Sequence, residues 1–238
     1  MIPKIIHYCW FGQCEMPETV KRCIESWRKY MPDYEYVIWD EGNFDIDSNQ
    51  YAKEAYHAQK YAFVSDYVRL WALCNEGGIY LDTDVEVFKA FDELLVWKAF
   101  AGFEGSKAIP LGTCVLASEP QGEWVREQLG YYQKRHFLNK DGSMDMTTNV
   151  SFISSKMREN GFLQNGIEQD YKDLHIFPVE YFCPRQTTGE YFRTENTYCD
   201  HHGLGSWTDT GGWKDYVGKI VGQKNMIRLI KLKRKLIG

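Results

Sequence analysis

Nothing in this 238-residue chain approaches the roughly 20 consecutive apolar residues that span a bilayer. The opening Met1-Ile2-Pro3-Lys4-Ile5-Ile6 also lacks the charged-then-apolar order of a secretory leader. No Cys-x-x-Cys pair occurs among the 7 cysteines, which are odd in number and scattered. That argues against a zinc site or disulfide framework and predicts a reducing, cytoplasmic setting. Internal repeats and low-complexity tracts are missing as well. Excess positive charge is absent, with 28 Lys and Arg against 33 Asp and Glu, so general nucleic-acid binding is not expected. What is present suits one globular core: 44% apolar residues, and 8 Trp and 16 Tyr that either fill the core or offer rings for stacking on sugars or bases.

Basic charge concentrates at one end. Residues 219–238 hold Lys219, Lys224, Arg228, Lys231, Lys233, Arg234 and Lys235 and no acid, which leaves 21 bases against 33 acids elsewhere. Met226, Ile227, Leu229, Ile230, Leu232, Leu236 and Ile237 fall on one broad helical arc, with Lys224, Arg228, Lys231 and Lys235 opposite. The pattern predicts a basic amphipathic helix over 219–238 appended to a domain over 1–218. Such a helix either docks on the domain or lies on an anionic membrane surface.

Periodicity orders the first half as strand, helix, strand, helix, strand. Strands are expected at Lys4–Trp10, Tyr34–Trp39 and Ile79–Leu81. A helix carries Val20, Cys23, Ile24 and Trp27 at helical spacing, and another runs over Ala62–Glu76 to the stop Gly77-Gly78. That order predicts an α/β sheet with parallel strands, whose ligands gather beyond the carboxyl ends. Trp10 and Asp82 both stand at such ends. The second half offers strands at Val85–Phe88, Ala99–Phe103, Cys114–Ala117 and Ile176–Pro178, with helices over Glu123–Phe137 and Val150–Asn160.

Asp82-Thr83-Asp84 closes the run Gly77-Gly78-Ile79-Tyr80-Leu81. On an extended chain, alternate residues share a face, so two carboxylates converge on one point, as a hard divalent cation holding a phosphate requires. The segment Leu81–Val85 is also similar to the nucleophile motif of haloacid-dehalogenase-like phosphatases. Those enzymes need downstream acids in a Gly-Asp-x-x-x-Asp context, which this chain lacks. Upstream, Asp66 and Arg69 share a helix face. They are either a solvated ion pair or a carboxylate and guanidinium set to grip sugar hydroxyls, with Ser65 helping at the helix start. Downstream, His201-His202 precedes Gly203-Leu204-Gly205-Ser206-Trp207, and either imidazole can supply a third ligand for a Mn²⁺-like ion.

Together with Ile2–Gly12, these segments resemble the DXD-motif sugar transferases of glycosyltransferase family 32, a group that includes yeast mannosyltransferases and bacterial capsule-type enzymes. More remotely they are similar to the catalytic domains of clostridial glucosylating toxins. The likeness runs from residue 2 to about 207 and is densest over Ser65–Val87. It implies a GT-A-type fold (α/β, with a mixed, mostly parallel central sheet flanked by helices), a nucleotide-sugar donor such as a UDP-hexose, retention of anomeric configuration, and Mn²⁺ or Mg²⁺. By the same resemblance, Trp10 stacks the base, and Ser65, Asp66 and Arg69 meet the donor sugar. Asp82 and Asp84 hold the metal with His201 or His202. Ser206 and Trp207 lie near the diphosphate, Trp207 excluding water, and Asn149 sits beneath the sugar. Asp84, Asn149 and Trp207 are thus the residues expected nearest the chemistry.

The acceptor implied is a saccharide or lipid-linked saccharide of capsular or lipopolysaccharide type, reached from the cytoplasm or the inner membrane face. The alternatives are a toxin-like transferase acting on protein and a nucleotide-sugar or carbohydrate binder without turnover.

Overall fold

Strands β1 (Ile5–Cys9), β2 (Glu35–Trp39) and β3 (Gly78–Leu81) lie parallel with β1 in the middle, as the strand–helix–strand order predicts. The computed structural model describes residues 1–105, 110–185 and 191–204. Contacts group Met1–His202 as one unit, the one described below. Ser206, Trp207, the 218/219 division and the basic segment 219–238 lie outside the described residues. Among the described residues, no helix is long and apolar enough to cross a membrane.

Helices α1 (Glu18–Tyr30), α2 (Gln50–His57) and α3 (Tyr61–Glu76) connect these strands. Next come β4 (Val85–Val87), β5 (Ala99–Phe103), β6 (Leu111–Ser118), α4 (Glu123–Tyr132), α5 (Asn149–Glu159), β7 (Gln169–Tyr171), β8 (Leu174–Phe177) and β9 (Cys199–His201). The main sheet has the order β2-β1-β3-β6-β5-β8-β7, and β4 pairs with β9 in a separate ribbon. Within the main sheet only β6 and β7 run against the other strands, so the sheet is mixed and mostly parallel.

Alternation along the strands feeds two cores. Cys9, Tyr80, Ala99, Ala101, Phe103, Leu174 and Ile176 pack with Tyr51, Phe63, Trp124 and Ile153 of α2 to α5. Their neighbours Ile6, Tyr8, Ile79, Leu81, Phe100 and Phe177 pack instead with Trp27 of α1, Phe91 and Tyr198. The result is a sheet covered by helices on one face and by α1 with the β4–β9 ribbon on the other. Two hydrogen bonds tie α1 to β4: Trp27 Nε1 donates to Val85 O at 2.6 Å, and Val87 N donates to Ser26 Oγ at 2.9 Å.

Three elements differ from the expectation. Helix α2, eight residues long with Tyr51, Ala52 and Ala55 on its buried face, is not among the expected helices; it is capped by Asn49, whose Oδ1 accepts from Ala52 N at 3.1 Å. Helix α4 stops at Tyr132 rather than Phe137. Past it, the Glu54 carboxylate takes the Phe137 and Leu138 N–H groups at 2.7 and 3.0 Å, and Arg135 turns inward to Asp145. Helix α3 shows one apolar face in sequence, yet Val64, Asp66, Val68 and Arg69 are buried as well. Packing of α2 and α4 against it covers the faces that α3 would otherwise leave to water.

Candidate functional site

Gly77 and Gly78 take φ of +69° and +104°, the left-handed region that turns α3 directly into β3. A Cβ on Gly78 would meet Ile5 O at 2.7 Å, so the close β1–β3 approach requires glycine there. His7 secures the same junction from full burial. Trp39 Nε1 donates to its Nδ1 at 3.2 Å, so Nε2–H donates to Gly77 O at 2.7 Å, and burial holds the ring neutral by pushing its pKa down.

Beyond Leu81 the chain is not extended. Asp82 N donates to Cys114 O at 2.9 Å, Val85 N donates to Asp82 O at 3.0 Å, and residues 82–85 form a tight turn. Asp82 and Asp84 therefore converge because the chain folds over itself, not because of strand alternation. The turn launches β4, which pairs antiparallel with β9 in the register Val85↔His201. His202 N donates to Asp84 O at 3.0 Å and locks the two segments together. Neighbours on a strand face opposite ways, so one imidazole only can turn to Asp84. It is His201, with Nε2 3.3 Å from Asp84 Oδ1, while His202 Nε2 lies 3.1 Å from Glu86 Oε2. One donor atom each from Asp82, Asp84 and His201 lie within 4.8 Å of one another, and His202 has no place in that set. The expectation that either imidazole can serve is corrected by strand register.

Two carboxylates and an imidazole suit a borderline-hard ion such as Mn²⁺. The support around them is built to hold the acids still. Asp82 Oδ1 accepts from Tyr80 Oη at 3.1 Å and pairs with Arg69 Nη1 at 3.2 Å, so neither contact uses Oδ2. Burial works against a charge on His201, but the Cys114 sulfur and the Asp84 carboxylate outweigh it and hold the imidazole well above its usual range.

Arg69 is the hub of the site. It is 5% exposed, which removes the reading of a solvated helical ion pair. Its Nη2 meets Asp66 Oδ1 at 2.9 Å, Nη1 donates to Thr113 O at 2.8 Å, Nε donates to Ser65 O at 3.2 Å, and the guanidinium stacks 4.6 Å from the Tyr80 ring centre. One side chain thus positions Asp66 and Asp82 together. Ser65 lies in the second turn of α3 rather than at its start, and its Oγ donates back to Tyr61 O at 3.1 Å.

Burial pushes the Asp66 carboxyl up to about 7; Arg69 lowers it, Asp82 raises it, and the Asn149 backbone N–H at the start of α5 lowers it. Asn149 is itself 3% exposed, accepts from Tyr132 Oη at 3.0 Å, and keeps a buried Nδ2 with no partner among the described residues. An orphan donor of this kind is costly unless a ligand satisfies it. Asp66 and Asn149, far apart in sequence, are brought together.

A carboxyl titrating at about 7 is neutral below and ionised above that pH. If the ionised form accepts substrate hydroxyls, kcat/KM is expected to fall with unit slope below about pH 7, and Asp66→Asn to remove that break while lowering activity. A pH profile of both proteins checks this; an unchanged break in the variant rejects the assignment.

Trp10 follows β1, half-buried, with its backbone N donating to Trp39 O at the end of β2 at 2.9 Å and its Nε1 donating to Cys14 O at 2.7 Å. No ring of the described residues stacks on it. Sequence reasoning missed Tyr80, although it stands two residues before Asp82 and shares its strand face. It also missed Arg135, 9% exposed, which bonds Tyr132 Oη and Asp145 and reaches Asp66 electrostatically; nothing local marks it.

Residues 17–101, from α1 to β5, match the family model described as a glycosyltransferase sugar-binding region containing the DXD motif. The chain is similar to the mannosyl phosphorylinositol ceramide synthase SUR1 of Saccharomyces cerevisiae, 29% identical over 147 residues that cover 58% of this chain and 37% of that protein. It is also similar to inositol phosphoceramide mannosyltransferase 3 of Schizosaccharomyces pombe, 37% identical over 103 residues, 42% of this chain and 29% of that one. The chain spans less than half the length of either. Among solved structures, PaToxG Glycosyltransferase superposes with a TM-score of 0.50 at 18% identity, covering 67% of this chain and 70% of that one, a likeness of fold alone. That fold is of the GT-A type.

Proposed function

We propose that this chain is a DXD-motif glycosyltransferase, as the match of residues 17–101 to that family's sugar-binding region supports, and that it transfers a hexose from a nucleotide sugar to a saccharide or lipid-linked saccharide, with Mn²⁺ or Mg²⁺ bound by Asp82, Asp84 and His201. The observation that carries this reading is the convergence of those three donors within 4.8 Å of one another, beside the buried Asp66–Arg69–Asn149 group. A divalent ion there supplies positive charge to a departing diphosphate. Asp66 and the Asn149 Nδ2, which has no partner among the described residues, offer an acceptor and a donor to sugar hydroxyls, and Trp10, on which no described ring stacks, offers a ring to the base.

Retention of configuration fits front-face attack, since Asp82 and Asp84 belong to the cation set and Asp66 is held by Arg69 and the Asn149 N–H. Glu104, which lies beside His201, is the one neighbouring carboxylate these contacts leave as a candidate nucleophile among the described residues.

The family resemblance favours a UDP-hexose, and the names of the yeast relatives favour nucleotide-linked mannose and a phosphoinositol-containing lipid acceptor. Mn²⁺-dependent release of nucleotide from UDP-glucose, UDP-galactose and mannose nucleotides separates the two. Affinity without release from any donor would identify a binding protein instead. A cytoplasmic, membrane-facing location belongs to the same proposal, resting on the cysteine pattern and the basic segment. Deleting residues 219–238 is then expected to weaken binding to anionic vesicles several-fold while sparing donor hydrolysis; unchanged vesicle binding removes the membrane part.

A further inference from the structure

We propose that Glu104, Cys114, Cys183 and His201 form a second cation site, suited to a thiophilic divalent ion such as Zn²⁺. The four residues come from separate parts of the fold: the end of β5, the middle of β6, the segment after β8, and β9. One donor atom from each lies within 4.8 Å of the others. Cys114 and Cys183 are 2% and 5% exposed, and their sulfurs stand 3.4 Å apart as free thiols. Two sulfurs about 2.3 Å from a tetrahedral zinc ion are separated by roughly 3.7 Å, so the pair needs little movement to ligate.

The chemistry of the donors separates this set from the neighbouring one. Two thiolates, an imidazole and a carboxylate favour zinc-like ions, whereas the Asp82–Asp84 pair favours Mn²⁺ or Mg²⁺. The sets are adjacent, since Cys114 O accepts the Asp82 N–H, and they share His201, so two ions compete for that imidazole unless it bridges them as imidazolate. A thiophilic ion would brace the turn that carries the two aspartates and tie it to the chain around Cys183. This site requires no assumption about the transfer reaction.

The test is titration of the full, reduced chain with Co²⁺, under a reductant that does not chelate metal, recording the sulfur-to-cobalt charge-transfer band. A band that saturates at one ion per chain, persists in Asp84→Ala, and is lost in Cys114→Ser and Cys183→Ser is the expected result. Zn²⁺ should abolish it by displacement. No band in the wild type, or a band that survives in both serine variants, overturns the proposal. Should a serine variant fail to fold, zinc-edge X-ray absorption of the wild type decides: two sulfur neighbours support the site and none overturns it. Loss of Mn²⁺-dependent nucleotide release in Asp84→Ala with the cobalt band intact keeps the two sites distinct.

Discussion

Asp84→Ala is expected to abolish transfer, lowering kcat/KM by at least about 10³-fold, and to remove Mn²⁺-dependent nucleotide binding. The side chain is one of the three donors that the described residues bring to the cation set, and it is the partner of His201. The turn itself rests on backbone bonds from Asp82 N to Cys114 O and from Val85 N to Asp82 O, which the substitution leaves in place. The effect therefore belongs to the site rather than to folding. Calorimetric titration of UDP with and without Mn²⁺, alongside nucleotide release, measures it. Affinity equal to wild type in Mn²⁺ would remove Asp84 from any metal role.

Arg69→Met is expected to lower stability by about 3–5 kcal/mol, because it leaves the Asp66 and Asp82 carboxylates without their buried counter-charge. The guanidinium and the Asp66 side chain are 6% and 11% exposed, so water cannot take over the pairing. The carbonyls of Thr113 and Ser65 lose donors as well. Arg69→Lys keeps the charge but not the fork, and falls between wild type and Met. Asp66→Asn removes one stranded charge, so the same Met substitution costs less in that background, a coupling that a double-mutant cycle resolves. Urea unfolding gives both values. A loss below about 1 kcal/mol would place Arg69 among solvated ion pairs, whose energies lie in that range.

Much of the architecture was legible because its signals are local. Hydrophobic periodicity placed β1, β2, α3 and β3 within one residue and identified the inward face of α1, and two glycines marked the α3–β3 junction. The paired aspartates followed from that junction. Helix α2 was missed because its eight residues give little more than two turns, too short a window for its face of Tyr51, Ala52 and Ala55 to stand out. The end of α4 was illegible since side chains from other elements, Glu54 and Asp145, supply the bonds that replace helical ones.

The candidate site divides along the same line. By itself the sequence determined the order of strands and helices, the positions of Trp10 and Asp82 at strand ends, the Asp66–Arg69 spacing on one helix, and a donor inventory that suits a divalent ion. All of these depend on residues a few positions apart, where backbone geometry alone sets who faces whom. Only the tertiary structure decided that a turn brings Asp82 and Asp84 together, that His201 and not His202 completes their set, and that Arg69 is buried between two carboxylates. The same holds for the convergence of Cys114 and Cys183, which the lack of a Cys-x-x-Cys pair concealed. Each depends on the register of β4 against β9, on the packing of α2 and α4 around α3, or on the pairing of β6 and β8 with β5, and register and packing are settled by contacts between segments distant in the chain.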